Sequence, residues 1–433
     1  MHSAVRKAAR RLIPFLFLCY LINFLDRVNV GFAALQMNAD LGLTPAIFGA
    51  GAGIFFIGYL LFEIPSNLAL QRFGARIWIA RIMISWGFVA SAMSLVSGPT
   101  SFYLMRLLLG VAEAGFFPGI ILYLTYWFPA GERARIVSLF MAAVPIATVV
   151  GGPISGALLQ LDGVGGLKGW QWMFLIEGLP AILLGLVALK FLTDRPAEAT
   201  WLTAAEREAL SARLAAEAEA TRTIGYAGLW EALVKPRIFV LALLYFCIVV
   251  GLYGLGFWMP QVIQTFGLDP LAIGFLTAVP YLFASIVMVL VGWNSDRTGE
   301  RSWHIALPLF IGAVAFAWSA SAGSLLVAMI ALTFATAGIY AAVGTFWTFP
   351  TAILTGTGAA AGLALVNSVG NLGGLLGPTV IGLTKEATGT FASAMLFLAA
   401  ALAFGGVIAL LFGAGTGKRS AFRKSPQKNR ISP

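Results

Sequence analysis

The 433-residue chain has two cysteines and two histidines. Cys19 and Cys247 lie in apolar stretches, which argues against a disulfide framework and leaves them as small packing residues. His2 and His304 stand at a terminus and at the start of an apolar run, so no metal centre is expected. Charge is scarce as well. Asp, Glu, Lys and Arg make up 11% of the chain, against about 25% in a soluble domain. What fills the space is apolar: 59% of the residues are hydrophobic. A soluble globular class is excluded, and an all-α polytopic membrane protein is expected.

Apolar runs of about 20 residues recur twelve times. They lie near 12–36, 46–70, 77–97, 101–127, 134–160, 169–192, 237–263, 271–293, 303–320, 323–349, 358–383 and 391–413. The first is too long for a cleaved leader and lacks a small-residue cleavage site, so none is expected. The segment 194–236 interrupts the runs. It opens with Asp194-Arg195-Pro196, then Thr203-Ala204-Ala205-Glu206, a capping-box pattern that starts a surface helix. The chain therefore divides into a six-helix half (1–193), a linker with one amphipathic helix (194–236), a second six-helix half (237–415) and a basic tail (416–433).

The net charge of +10 follows from topology. With the amino terminus in the cytoplasm, 24 of the 28 Lys and Arg fall inside, only Lys168 and Lys385 fall outside, and Arg27 and Arg106 lie at membrane depth. This is the positive-inside bias, and it places both termini in the cytoplasm of a cell inner membrane protein. The basic tail reads as a topology and lipid-headgroup feature, with no nucleic-acid partner.

The halves look like repeats at an offset of 225. Arg72-Phe73-Gly74-Ala75-Arg76 matches Arg297-Thr298-Gly299-Glu300-Arg301, and Gly152-Pro153 matches Gly377-Pro378. Tyr20 and Tyr245, and Gly119 and Gly344, keep the same offset. Two parallel six-helix repeats around a linker form a transporter plan with its site between the halves.

Two arginines and two acids stand deep inside spans: Asp26 and Arg27 in the first, Arg106 and Glu113 in the fourth. An ionised residue at a span centre costs roughly 2.5–3.5 kcal/mol on insertion scales. Two positives and two negatives can neutralise one another in a shared cavity. Arg106 and Glu113 are two turns apart on one face, about 10 Å along the axis, with Gly110 between them to admit a helix or ligand. Tyr20, Asn23 and Arg27 form a polar stripe on the first span, where Arg27 can offer a fork to a carboxylate. Asp26 points about 100° away, placed to tune Arg27 or to accept a proton. The second half has no charge at these depths, so protonation is expected in the first half. Neutral contacts are expected from Tyr253, Trp258, Gln261, Trp347, Asn367 and Asn371. Glu63 is expected to cap its helix or to pair with loop arginines, and Glu177 to be structural.

These motifs resemble the major facilitator superfamily over nearly the whole chain. Gly292-Trp293-Asn294-Ser295-Asp296-Arg297-Thr298-Gly299-Glu300-Arg301 is close to that superfamily's cytoplasmic loop signature. The first-half copy departs from it, with Gln71 where the aspartate would stand. Glu63-Ile64-Pro65-Ser66-Asn67, Gly169-Trp170-Gln171-Trp172 and Asp194-Arg195-Pro196 resemble the anion:cation symporter subgroup, which includes bacterial tartrate, sugar-acid, phthalate and hydroxyphenylacetate permeases. The resemblance implies proton-coupled uptake of a small organic carboxylate by alternating access, with no cofactor beyond the proton gradient. It implies that Arg27 and Arg106 bind the anion and that Glu113 and Asp26 handle protons. It also implies that Asp296, Arg297, Gly299, Arg301, Arg72, Gly74 and Arg76 form conformational-switch loops, and that a monomer suffices. An exchanger or exporter on the same scaffold, and a non-transporting receptor, remain alternatives. No nucleophile–base constellation marks an enzyme.

Overall fold

The computed structural model describes residues 2–222, 236–347, 349–350 and 357–420. Among these every regular element is helical. Eleven helical runs are long and apolar enough to cross a membrane. The remaining expected span, 358–383, is covered by two helices, α15 (Thr357–Asn371) and α16 (Gly373–Thr388), which meet at Leu372.

Four spans are broken in this way. The first is α1 (His2–Val28) followed by α2 (Val30–Leu41), interrupted at Asn29. The fourth is α5 (Pro99–Glu113) followed by α6 (Phe116–Thr125). Gly115 makes that break with a left-handed φ of 83°, and a Cβ there would collide with the Ser66 side chain. The fifth is α7 (Ala130–Met141) followed by α8 (Ala143–Leu158). The other spans are α3 (Pro45–Phe73), α4 (Ala75–Ala92) and α9 (Gly169–Phe191) in the first half. In the second half they are α11 (Pro236–Gln264), α12 (Pro270–Thr298), α13 (Ser302–Ser319), α14 (Leu325–Phe346) and α17 (Ala392–Ser420). Helix starts are chemically marked. Thr44 accepts from the Ile47 N–H ahead of Pro45, and Asp269 accepts from Leu271 and Ala272 ahead of Pro270.

The repeat offset holds in three dimensions. α3 and α12 are both 29 residues long, and 270 − 45 = 225. Each packs closely on a span of the other half, α3 on α16 and α12 on α8. Glycine makes both contacts. A Cβ on Gly152 would lie 2.6 Å from the Gly274 carbonyl oxygen, and one on Gly49 would strike the Pro378 carbonyl. A Cβ on Gly274 would also lie 3.2 Å from the Pro153 Cα, and Pro153–Gly274 is the image of Gly49–Pro378, since 274 − 49 and 378 − 153 are both 225. The two seams close the end of the bundle that carries the α2–α3 and α11–α12 turns. The other end carries the chain start and the linker, and is called the linker end below.

The linker forms a 3₁₀ turn (Pro196–Glu198) and then α10 (Ala204–Arg222). The capping box is present: the Thr203 N–H donates to Glu206 and the Glu206 N–H to Thr203 Oγ1. Glu206 also accepts from Ser3 and Lys7, both at 2.8 Å. Trp201 stacks on Trp127 at 5.3 Å, and Arg11 lies over Trp201. The linker is thereby fastened to the first half.

Candidate functional site

Arg27 is the penultimate residue of α1, two before the Asn29 break, and it is buried. Its Nε donates to Glu113 Oε1 at 2.8 Å, and its Nη2 pairs with the same oxygen. Nη1 donates to the Tyr253 hydroxyl at 2.9 Å, and Nη2 reaches Asn23 Oδ1 at 3.5 Å. One arginine therefore joins the first, fourth and seventh spans, and so joins the two halves. Glu113 is fully buried, and its Oε2 has no hydrogen-bond partner among the described residues. The expected stripe of Asn23 and Arg27 is present, and Tyr20 extends it by stacking on Phe140 at 4.4 Å and Phe117 at 5.6 Å.

Arg106 sits two turns before Glu113 and is 1% exposed. Its donors reach backbone carbonyls: Nε to Gly51 at 3.3 Å and Nη2 to Ala52 at 3.1 Å. Among the described residues no carboxylate lies within ion-pair distance of it. Its guanidinium lies 5.2 Å from the Phe55 ring centre, and that of Arg27 lies 5.3 Å from the same ring. Phe55 thus lies against both cations, and Tyr59 covers Arg27 at 5.2 Å. Gly110, expected to admit a helix or ligand, admits a helix: a Cβ there would strike the Phe55 carbonyl. Patterning on spans 1 and 4 could not reveal Phe55 and Tyr59, because they arrive from the second span.

Asp26 faces away from this cluster. Its Oδ2 accepts from Trp86 Nε1 at 2.9 Å, while Oδ1 has no partner among the described residues. It does not touch Arg27, because successive helical residues diverge by 100° and α4 stands on its side. Glu177 accepts from Ser155 at 2.7 Å and from Asn29 at 2.9 Å, bracing the break in the first span against α8 and α9.

Glu63 departs from expectation. It is ten residues short of the end of α3, too deep to cap or to meet loop arginines. Instead it is 4% exposed and accepts from Asn367 Nδ2 at 3.0 Å and Ser368 Oγ at 3.3 Å, across the halves. Asn367 is thus already engaged in this structure. Asn371 is half-buried at the end of α15. Trp347 packs edge-on against Tyr245 at 4.9 Å. Gln261 accepts from Asn38 at 3.3 Å near the closed end. Trp258 donates to the Pro378 carbonyl and packs on Phe48 and Phe391, a packing role. Tyr253 hydrogen-bonds the charged cluster from the second half, and the Phe257 ring lies 5.6 Å from the Arg106 guanidinium.

The loop motifs are ordered. In the second half Arg301 bonds Asp296 at 2.6 Å and Ser295 at 3.0 Å, Gly299 caps α12, and Arg297 lies over Trp293. The first-half copy, lacking its own aspartate at Gln71, takes one from the linker. Asp194 accepts the Arg76 N–H at 2.7 Å and lies against Gly74, while Arg72 stays exposed beside Phe73.

Comparison with known proteins agrees with this architecture. The sequence profile described as Major Facilitator Superfamily matches residues 16–378. An Agrobacterium vitis protein named for tartrate transport is 51% identical over 98% of this chain and 94% of its own. An Acinetobacter baumannii protein named a quinolone resistance transporter is 43% identical over 93% of each. Among solved structures, the inward open conformation of the xylose transporter XylE from E. coli superposes with a TM-score of 0.75. It is 14% identical, covering 93% of this chain and 96% of that one.

Proposed function

This chain belongs to the major facilitator superfamily, and on that premise we propose that it carries a small organic anion across the membrane together with protons, by alternating access. It is a multi-pass membrane transporter and not an enzyme. The observation that carries the finer reading is the Arg27–Glu113 pair tied to Tyr253. While Glu113 is ionised, the charge of Arg27 is compensated. A proton on Oε2, the oxygen with no partner among the described residues, releases Arg27 for a substrate carboxylate. Arg106, held among the described residues by carbonyls and aromatic rings, supplies a second positive charge. Protonation and anion binding then favour one another by reciprocal linkage. The loaded, nearly neutral site passes through the desolvated closed state at lower cost than a charged one. The substrate class is a compact carboxylate of the tartrate, sugar-acid or aromatic-acid kind, in keeping with the name of the 51% identical relative.

Purified protein in liposomes tests the reading. Radiolabelled tartrate, followed by a carboxylate panel chosen by thermal shift, should accumulate when the outside is acidified. The relative named for quinolone resistance favours a second reading, export in exchange for protons. In that case acidifying the outside would drive substrate out of preloaded vesicles.

A further inference from the structure

α3 runs antiparallel to the α15–α16 span, and carboxylates tie the two at both ends. At the closed end Glu386, given by α16, accepts the Ala46 N–H at 2.8 Å and so caps the first turn of α3. Toward the linker end Glu63, given by α3, accepts from Asn367 and Ser368 at the end of α15. The two points are about 26 Å apart along α3 at 1.5 Å per residue, nearly the thickness of a membrane core. Each half therefore lends one carboxylate to the other. The two ends are otherwise unequal. Beyond Arg27 toward the closed end, Asn38–Gln261 and Gln264–Leu35 also cross between the halves, as do the glycine seams. Beyond Arg27 toward the linker end, the hydrogen bonds that cross between halves among the described residues are those of Glu63.

We propose that Glu63 is the linker-end gate residue of the transport cycle: its bridge to Asn367 and Ser368 must break for the site to open at that end, while the Glu386–Ala46 cap holds the other end. Glu63 lies one turn from Tyr59, which covers Arg27. The bridge thus stands directly on the way from the charged cluster to the linker end. Its donors are neutral amide and hydroxyl groups, and Glu63 has no cation within ion-pair distance among the described residues. Opening exchanges these bonds for water, so the gate is held by hydrogen-bond geometry and not by ion pairing. The proposal rests on the alternating-access reading, but on neither the anion nor the proton. If transport of an anion with protons proves wrong, the gate can still be read.

The experiment measures distances between spin labels with no substrate and no gradient. Cys19 and Cys247 are first replaced by serine. One reporter pair, Gln71→Cys with Arg237→Cys, spans the linker end. The other, Ser97→Cys with Thr390→Cys, spans the closed end; all four sites are exposed. Glu63→Ala should shift the linker-end distribution to longer distances and leave the other end unchanged. Glu63→Gln, which can still accept from Asn367 and donate to Ser368, should match the parent. Asn367→Ala with Ser368→Ala should reproduce Glu63→Ala, which covers the case where that variant fails to fold. Glu386→Ala, at an end also held by the glycine seams and two further bonds, should leave the linker-end distribution unchanged. An unchanged linker-end distribution in both the Glu63→Ala and the double variant overturns the proposal. So does a Glu63→Gln variant as open as Glu63→Ala.

Discussion

Arg27 directs two of its nitrogens at one oxygen of Glu113 and leaves the other oxygen without a partner among the described residues. A charge pair in the middle of a membrane would ordinarily be satisfied on all its atoms. Here the open valence sits on the acid, which is where a proton can be received without moving the arginine.

Arg27→Lys should lose substrate binding by at least about tenfold, a difference of about 1.4 kcal/mol, while still inserting. An ammonium is a compact charge and cannot span Glu113, Tyr253 and Asn23 together as the planar fork does. Thermal shift with the best carboxylate of the panel reads the loss. Affinity within a few-fold of the parent would mean that the fork geometry is unimportant.

Glu113→Gln should abolish accumulation driven by a proton gradient but keep counterflow of bound substrate. Glutamine imitates the protonated acid and cannot give the proton up. Liposome counterflow and gradient-driven uptake are measured side by side. Gradient-driven uptake that survives removes Glu113 from the proton pathway.

Asp26→Asn should shift or flatten the pH profile of uptake, whereas Gln261→Ala and Trp347→Ala should change selectivity and move the optimum by less than about half a unit, since neutral groups perturb a neighbouring titration less than loss of a charge does. Asp26 is buried with, among the described residues, a single donor, Trp86, and an unpartnered oxygen. Uptake against external pH at saturating substrate separates the two classes. A Gln261 or Trp347 variant that displaces the profile as far as Asp26→Asn contradicts the division between the halves.

Docking of the linker helix should be insensitive to pH from neutrality down to about 4.5 and should weaken only in stronger acid. Bonds from Lys7, then Ser3, and the Thr203 N–H hold Glu206 down at about 2, below its ordinary 4.5. A depressed carboxylate contributes fully above its ordinary value, and the contribution is lost as pH falls toward the depressed one. Hydrogen exchange of α10 between pH 5 and 7 should therefore show constant protection relative to intrinsic rates. Glu206→Gln should loosen α10 at pH 7. A loss of protection already at pH 6 in the parent would show that another group controls docking.

The spans, the repeat offset and the four intramembrane charges were legible because each is a property of one helix or of a fixed spacing. Apolar run length marks a span whatever its neighbours are, and α3 and α12 keep the 225 offset to the residue. The partners were not legible. A helical wheel gives the angle between Asp26 and Arg27 but not which helix stands on either side, so the turn of Asp26 toward Trp86 was hidden. Glu63 reads alike as a cap or as a bridge until the depth of its neighbour on α15 is known. The break at Leu372 is followed by Gly373-Gly374 and has no proline, and the like pairs Gly151-Gly152 and Gly405-Gly406 leave their helices unbroken, so the glycines do not single it out. Asp194 replacing the missing acid at Gln71 is a contact across more than a hundred residues, visible in the sequence only as two separate motifs.

The glycine seams at the closed end have a consequence for how the protein moves. Where Gly152 meets Gly274 and Gly49 meets Pro378, main chain touches main chain with no side chain between. Such a surface has no rotamers to adjust and no long groups to stretch. A gap of an ångström already forfeits a quarter to a half of each dispersion contact, and is too thin to admit water in its place. Partial separation is therefore worse than either contact or full hydration. The protein behaves at this end as a switch with two positions, not as a spring, and one methyl group set in the seam would act as a wedge that tips it toward the open one.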